Sequence, residues 1–98
     1  MRYDIVLGGG AVREFRRLGA YERARVRDAL ERFLRNEPTR VSRSRIKRLR
    51  GMRQPQYRLR LGEIRVFYDV AETEVQILAI VSKDEVQSWL EQEGTPEA

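Results

Sequence analysis

Tyr57-Arg58-Leu59-Arg60-Leu61-Gly62-Glu63-Ile64-Arg65-Val66-Phe67-Tyr68 reads as a β-hairpin whose register can be worked out residue by residue. Gly62-Glu63 is a two-residue connection with glycine first, the pattern of a type II′ turn, in which the first central residue needs positive φ. That turn makes Leu61 face Ile64, Arg60 face Arg65, Leu59 face Val66, Arg58 face Phe67 and Tyr57 face Tyr68. Side chains alternate across a strand. Tyr57, Leu59, Leu61, Ile64, Val66 and Tyr68 therefore share one face, which is core, and Arg58, Arg60, Arg65 and Phe67 share the other.

A second hairpin follows if residues 71–74 form its loop. Tyr68 then faces Ile77, Phe67 faces Leu78 and Arg65 faces Ile80, which adds Leu78 and Ile80 to the cationic face. Arg60 opposite Arg65 is a like-charge pair, which destabilises a sheet, and it lies beside apolar groups that favour leaving water. A polyanionic and partly apolar partner is expected to dock there.

Outward from the hairpins, Tyr3, Ile5 and Leu7 alternate as a first strand, and Gly8-Gly9-Gly10 is expected to be a flexible connection, its spacing matching no phosphate-binding glycine motif. Val12, Phe15 and Leu18 recur at helical spacing over 11–18, with Gly19 placed to end the helix in left-handed geometry. Val26, Leu30, Phe33 and Leu34 mark a second helix over 21–36, stopped by Pro38. Residues 39–44 read as loop, and the basic segment after it, interrupted by Ile46 and Leu49 and ending at Gly51-Met52, as irregular or short extended structure. Strands are expected at 56–61, 64–70 and 75–81. Ser82-Lys83-Asp84-Glu85 fits a capping box opening a last helix, whose Val86, Trp89 and Leu90 fall on one stripe, and Gly94 with Pro96 ends it. That short stripe has to lie on something, and the Phe67 face is available. The order βααβββα predicts an α+β two-layer sandwich. An antiparallel sheet of about four strands is backed by an N-terminal helical hairpin in a single domain over 1–98, with the last few residues disordered.

The chain has 98 residues, 20 basic against 15 acidic, and neither cysteine nor histidine. That inventory excludes disulfides, thiolate or imidazole metal sites and Cys/His or Ser/His nucleophilic chemistry, so no metal and no cofactor is expected. No stretch is long or apolar enough to span a bilayer and the N-terminus lacks a secretory apolar region, so a soluble cytoplasmic protein without a membrane partner is expected. The net charge of +5 hides an asymmetry: no acidic residue lies between Glu37 and Glu63, and from Asp84 onward the tail is acidic. The basic run is nearly all arginine, whose planar fork suits bidentate phosphate contact. Arg45, Lys47, Arg48, Arg50 and Arg53 are therefore candidate RNA-backbone contacts, against the competing reading of a solvated loop.

The segment Lys47-Arg48-Leu49-Arg50-Gly51-Met52, followed by the hairpin Tyr57 to Val70, resembles the RelE/ParE superfamily of type II toxin-antitoxin toxins. In that family a K-L-R-G segment leads into a Y-R-x-R-x-G-x-[YF]-R hairpin, and Ala11 to Leu18 fits the family's first helix. The resemblance implies a ribosome-dependent mRNA endoribonuclease, in which the RNA 2′-hydroxyl attacks the adjacent phosphate, held inactive by a cognate antitoxin. Carried over by position, Arg58 and Arg60 match the two cationic strand residues of the RelE branch and Arg65 its phosphate-binding arginine. Where the family carries an arginine and then a tyrosine after the last strand, this chain has Lys83-Asp84 and Trp89-Leu90, which makes Lys83 the proton-transfer candidate. The antitoxin is expected to cover Phe67, Leu78, Ile80 and Trp89. Two alternatives stay open: a toxin of the same fold with another target such as gyrase, and a non-cleaving member that binds RNA or a partner.

Overall fold

The computed structural model describes residues 1–98. In chain order the elements are β1 (Asp4–Leu7), α1 (Gly9–Arg17), α2 (Ala20–Ala29, continued by a π-helical turn over Leu30–Leu34), β2 (Ile46–Arg48), β3 (Met52–Gln54), β4 (Tyr57–Leu61), β5 (Ile64–Val70), β6 (Glu74–Ser82), a 3-10 turn (Lys83–Glu85), α3 (Val86–Glu93) and β7 (Thr95–Pro96). Five strands form one sheet in the order β1-β6-β5-β4-β2, and β3 pairs with β7 in a separate ribbon. The α+β architecture expected from the sequence holds. The sheet gains a fifth strand, β2, and β1 joins β6 in parallel. Alternation within β1 marks a strand but not its direction or its neighbour.

The helical stripes make the main core. Ala11, Val26, Ala29, Leu30 and Leu34 pack on Leu59, Leu61, Ile64, Val66, Tyr68, Val75 and Ile77. Burying each large aliphatic side chain contributes roughly 1.5–3 kcal/mol. The Tyr68 hydroxyl would be costly in this core without a partner, and it donates to the Pro38 carbonyl at 2.6 Å. The first hairpin has the expected register at all five pairs, and Gly62 takes φ +60°.

The second hairpin departs from expectation. Tyr68 does face Ile77, but Leu78 is an extra residue on β6, a β-bulge, so Phe67 faces Ala79, Val66 faces Ile80 and Arg65 faces Val81. Ile80 is thereby turned into the main core, opposite Val66, and Leu78 stays half-buried outside both clusters. The cationic face carries Phe67, Ala79 and Val81 instead. On these, together with Leu49, lie Val86, Trp89 and Leu90 of α3, so the last helix covers that half of the sheet.

Other local expectations change too. Gly9 and Gly10 form the first turn of α1 rather than a flexible connection. Gly19 has φ −67° and ψ 164° and precedes α2, so it is not a left-handed cap. The Glu85 carboxylate reaches back to the Ser82 N–H at 3.1 Å and also accepts from its hydroxyl at 3.0 Å. The C-terminal residues expected to be disordered are held: Thr95–Pro96 pairs with β3, and the Glu97 N–H donates to the Gly51 carbonyl. Gly94 allows the approach, because a Cβ there would stand 2.5 Å from Met52 Cε and 2.6 Å from the Leu90 carbonyl oxygen. No helix is long and apolar enough to cross a membrane.

Candidate nucleic-acid interface

Strand pairing sorts the basic residues. Across one row of the sheet lie Lys47, Arg58, Phe67 and Ala79, and across the next Arg60, Arg65 and Val81. Lys47, Arg58, Arg60 and Arg65 thus share the face left open between α3 and the β2 edge. The ion pairs of the chain are Arg25–Glu22, Arg35–Glu31, Arg40–Glu37 and Lys83–Glu63, so none of these four cations has a carboxylate partner.

Their environments differ. Arg60 and Lys47 are exposed. The Arg65 Nη1 folds back over the tight turn and donates to the Gly62 carbonyl at 2.6 Å and the Ile64 carbonyl at 3.1 Å, which anchors the guanidinium without reducing its charge. Arg58 is half-buried and its Nε–H has no acceptor. Burial, then the charges of Arg65 and Arg60, lower its pKa from the usual arginine value. The one buried acid nearby, Asp69, is occupied: it accepts from Gln54 Nε2 at 2.6 Å and from the Gln56 N–H at 2.8 Å. An open sheet face with four unpaired cations, one of them poorly solvated, favours an anionic ligand.

The remaining candidates are dispersed. Arg45 stacks over Phe33 at 4.6 Å and Arg48 over Tyr57 at 5.1 Å, so both lie on the helical side of the sheet. Arg50 stands exposed in the turn before β3, and Arg53 is exposed on β3. Lys83 Nζ is 3.2 Å from Glu63 in an exposed pair at the end of β6. Trp89 stacks on Phe67, with centroids 5.0 Å apart and planes 6° apart, so its ring packs within this chain. Of the four residues expected to meet an antitoxin, Ile80 lies in the core and Phe67 is covered by α3. Sequence reasoning passed over Glu63 as the partner of Lys83, because a turn residue carries no signal of where its side chain reaches.

The chain has the fold of the RelE toxins, and the resemblance read from its hairpin motif stands. It is similar to a chain of the RelBE2 toxin–antitoxin complex of Mycobacterium tuberculosis at 26% identity and TM-score 0.69, covering 84% of this chain and 99% of that one. It is similar also to a chain of the archaeal RelE–RelB complex of Pyrococcus horikoshii at 27% identity and TM-score 0.63, covering 85% and 97%. A free double-arginine mutant of the Escherichia coli toxin RelE matches in fold at 22% identity and TM-score 0.71, covering 91% and 92%. No family model matches the sequence, and no curated protein matches it either.

Proposed function

We propose that the protein is the toxin of a type II toxin–antitoxin pair and that it cleaves mRNA on the ribosome, binding the substrate strand on its open cationic sheet face. The observation that carries this reading is the clustering of Arg58, Arg60, Arg65 and Lys47 on one face with no carboxylate to neutralise them. Cleavage would proceed by O2′–P bond formation as the P–O5′ bond breaks, with a proton leaving O2′ and another arriving at O5′. Phosphate charge grows along that path, and fixed guanidinium groups stabilise it. Arg65, anchored by two carbonyls, and Arg60 opposite it are the phosphate clamp; Arg58 adds charge from a poorly solvated position. Lys83, with Glu63, is the proton-transfer pair at the end of the groove.

The relatives are complexes of a RelE toxin with its RelB antitoxin, which supports a cognate antitoxin here. Since α3 already covers Phe67, Ala79 and Val81, the antitoxin would have to meet the arginine groove and either ride over α3 or displace it.

The test is expression of the chain without an antitoxin, with mRNA ends mapped in a purified translation system. Growth arrest with new cuts in ribosome-bound mRNA is expected, and Arg65→Ala should reduce cleavage at least a hundredfold while the protein stays folded. A second reading, RNA binding without cleavage, is favoured by the ion-paired, exposed state of Lys83. Growth arrest with ribosome association but intact mRNA would select it, and DNA breaks with intact mRNA would point to a gyrase-type target.

A further inference from the structure

A second cationic site lies on the other side of the β2 edge from the groove. Arg32, Phe33, Arg40, Ser42 and Arg45 line a cavity of about 330 Å³ between the end of α2 and the turn into β2, at the small end of the range in which pockets hold a nucleotide-sized ligand. The site is built by specific local structure. Arg32 and Phe33 fall in the π-helical turn that ends α2, a device that recurs at functional sites because it redirects side chains. On the facing turn the Ser42 Oγ accepts from the N–H groups of Arg45 and Ile46 at 3.0 and 3.1 Å, which fixes where Arg45 leaves the backbone. The Phe33 ring then takes both guanidinium groups, Arg32 at 5.3 Å and Arg45 at 4.6 Å from its centroid. Neither arginine has an acidic partner, and the one carboxylate on the wall, Glu37, is already paired with Arg40 at 3.1 Å.

Two arginines held over an aromatic ring, with room beside them, provide a phosphate clamp and guanidinium planes on which a base can stack. We infer that this pocket takes an unpaired nucleotide projecting from a folded RNA, separate from the strand bound on the sheet face. The inference rests on the proposed action on ribosome-bound mRNA and assigns the pocket the contact with the structured RNA around the substrate. Along the β2 edge Arg45 and Arg48 lie on the helical side and Lys47 on the groove side. The two sites are therefore joined by a basic edge strand that an RNA backbone can follow.

The pocket and the groove are separable by binding. Two probes are titrated against the full chain: mRNA-programmed ribosomes with a vacant decoding site, and a single-stranded RNA of about five nucleotides, whose phosphates number no more than the four cations of the sheet face. Arg32→Ala/Arg45→Ala is expected to weaken ribosome binding roughly tenfold and to flatten its salt dependence by nearly two phosphate contacts, leaving affinity for the short strand unchanged. Arg65→Ala should weaken both. Glu37→Gln, at an exposed side chain that does not support the fold, releases Arg40 and should tighten ribosome binding about twofold. Ribosome binding unchanged in both pocket variants would overturn the inference, as would equal losses on both probes. If the wild-type chain itself shows no ribosome binding, the proposed function fails. The pocket is then decided by titrating an RNA hairpin with a bulged nucleotide, and separately a nucleoside monophosphate, while following the side-chain Nε signals of Arg32 and Arg45. Shifts with the hairpin keep the pocket, shifts with the mononucleotide alone assign it to a free metabolite and overturn the RNA role, and no shift with either overturns the site.

Discussion

Arg58 is where the stability of this molecule and its ligand preference pull against each other. Its Nε–H is buried without an acceptor, and its charge is disfavoured by burial and by Arg65 and Arg60. An orphaned donor of that kind costs on the order of 1 kcal/mol or more. Arg58→Met keeps an unbranched apolar stem beside Phe67 and removes the charge, so it is expected to raise Tm by about 4 °C while cutting affinity for single-stranded RNA at least tenfold. A calorimetric scan with Tm unchanged or lowered would show that Arg58 is structural after all. Glu14 on α1 shows the complementary case. Its carboxylate accepts from the Ile80 N–H at 2.8 Å, on the stretch of β6 that β1 no longer pairs. Burial, joined by repulsion from Glu85, raises its pKa against the pull of that hydrogen bond. The folded chain therefore holds this proton more tightly than the unfolded chain does. Its contribution to stability falls as pH rises from the ordinary carboxylate value through the raised one, and at neutral pH the ionised group is a net cost. Glu14→Gln keeps an acceptor for Ile80 and loses the charge. It should gain roughly one or two degrees of Tm at neutral pH and lose that advantage near about pH 4, where the wild-type carboxyl is protonated; a variant equally stable to wild type at neutral pH would rule this out.

At the level of elements, the β4–β5 hairpin was fully legible because a glycine-first two-residue turn leaves one register, and alternating residues then assign both faces. Gly62 at φ +60° carries that information, and a Cβ there would also approach the Arg25 guanidinium at 3.3 Å. Gly62→Ala should cost about 1–2 kcal/mol and lower Tm by roughly 4–10 °C. A smaller loss in chemical denaturation would mean that the turn adapts. The β5–β6 hairpin was legible only as far as Tyr68 and Ile77. From Ile77 to Val81 every residue is apolar, because this strand is covered on one face by α1 and α2 and on the other by α3. A run without alternation carries no phase, so the bulge at Leu78 left no trace in the sequence. The error it caused fell on the apolar half of the site, moving Leu78 and Ile80 off the face and Ala79 and Val81 onto it. The arginines, fixed by the other hairpin, were unaffected. The pocket at Arg32 and Arg45 was illegible for a different reason: on a helical wheel Arg32 belongs to a solvated face, and only the π turn and the returning loop bring it to Arg45.

Over the whole molecule, charge is segregated rather than merely abundant. The acid-free interval between Glu37 and Glu63 supplies the β2 edge and three of the four cations of the open face, whereas the acids from Asp84 onward fall on the 3-10 turn, on α3 and in the C-terminal tail. A net charge of +5 alone would give weak, diffuse attraction to any polyanion. The folded arrangement instead concentrates four unpaired cations on one open face, where a single strand can meet them together. If Lys47, Arg58, Arg60 and Arg65 each neutralise one phosphate, the logarithm of affinity should fall with the logarithm of salt concentration with a slope near −2.8, and affinity should drop about fiftyfold between roughly 50 and 200 mM salt. Removing any one of the four should reduce the slope by about 0.7, whereas Arg53→Ala, on the separate β3–β7 ribbon, should leave it unchanged. Filter binding of a short single-stranded RNA at several salt concentrations measures this directly. A slope near −1, or equal effects from Arg53 and Arg60, would mean that net charge rather than the sheet face draws the RNA in.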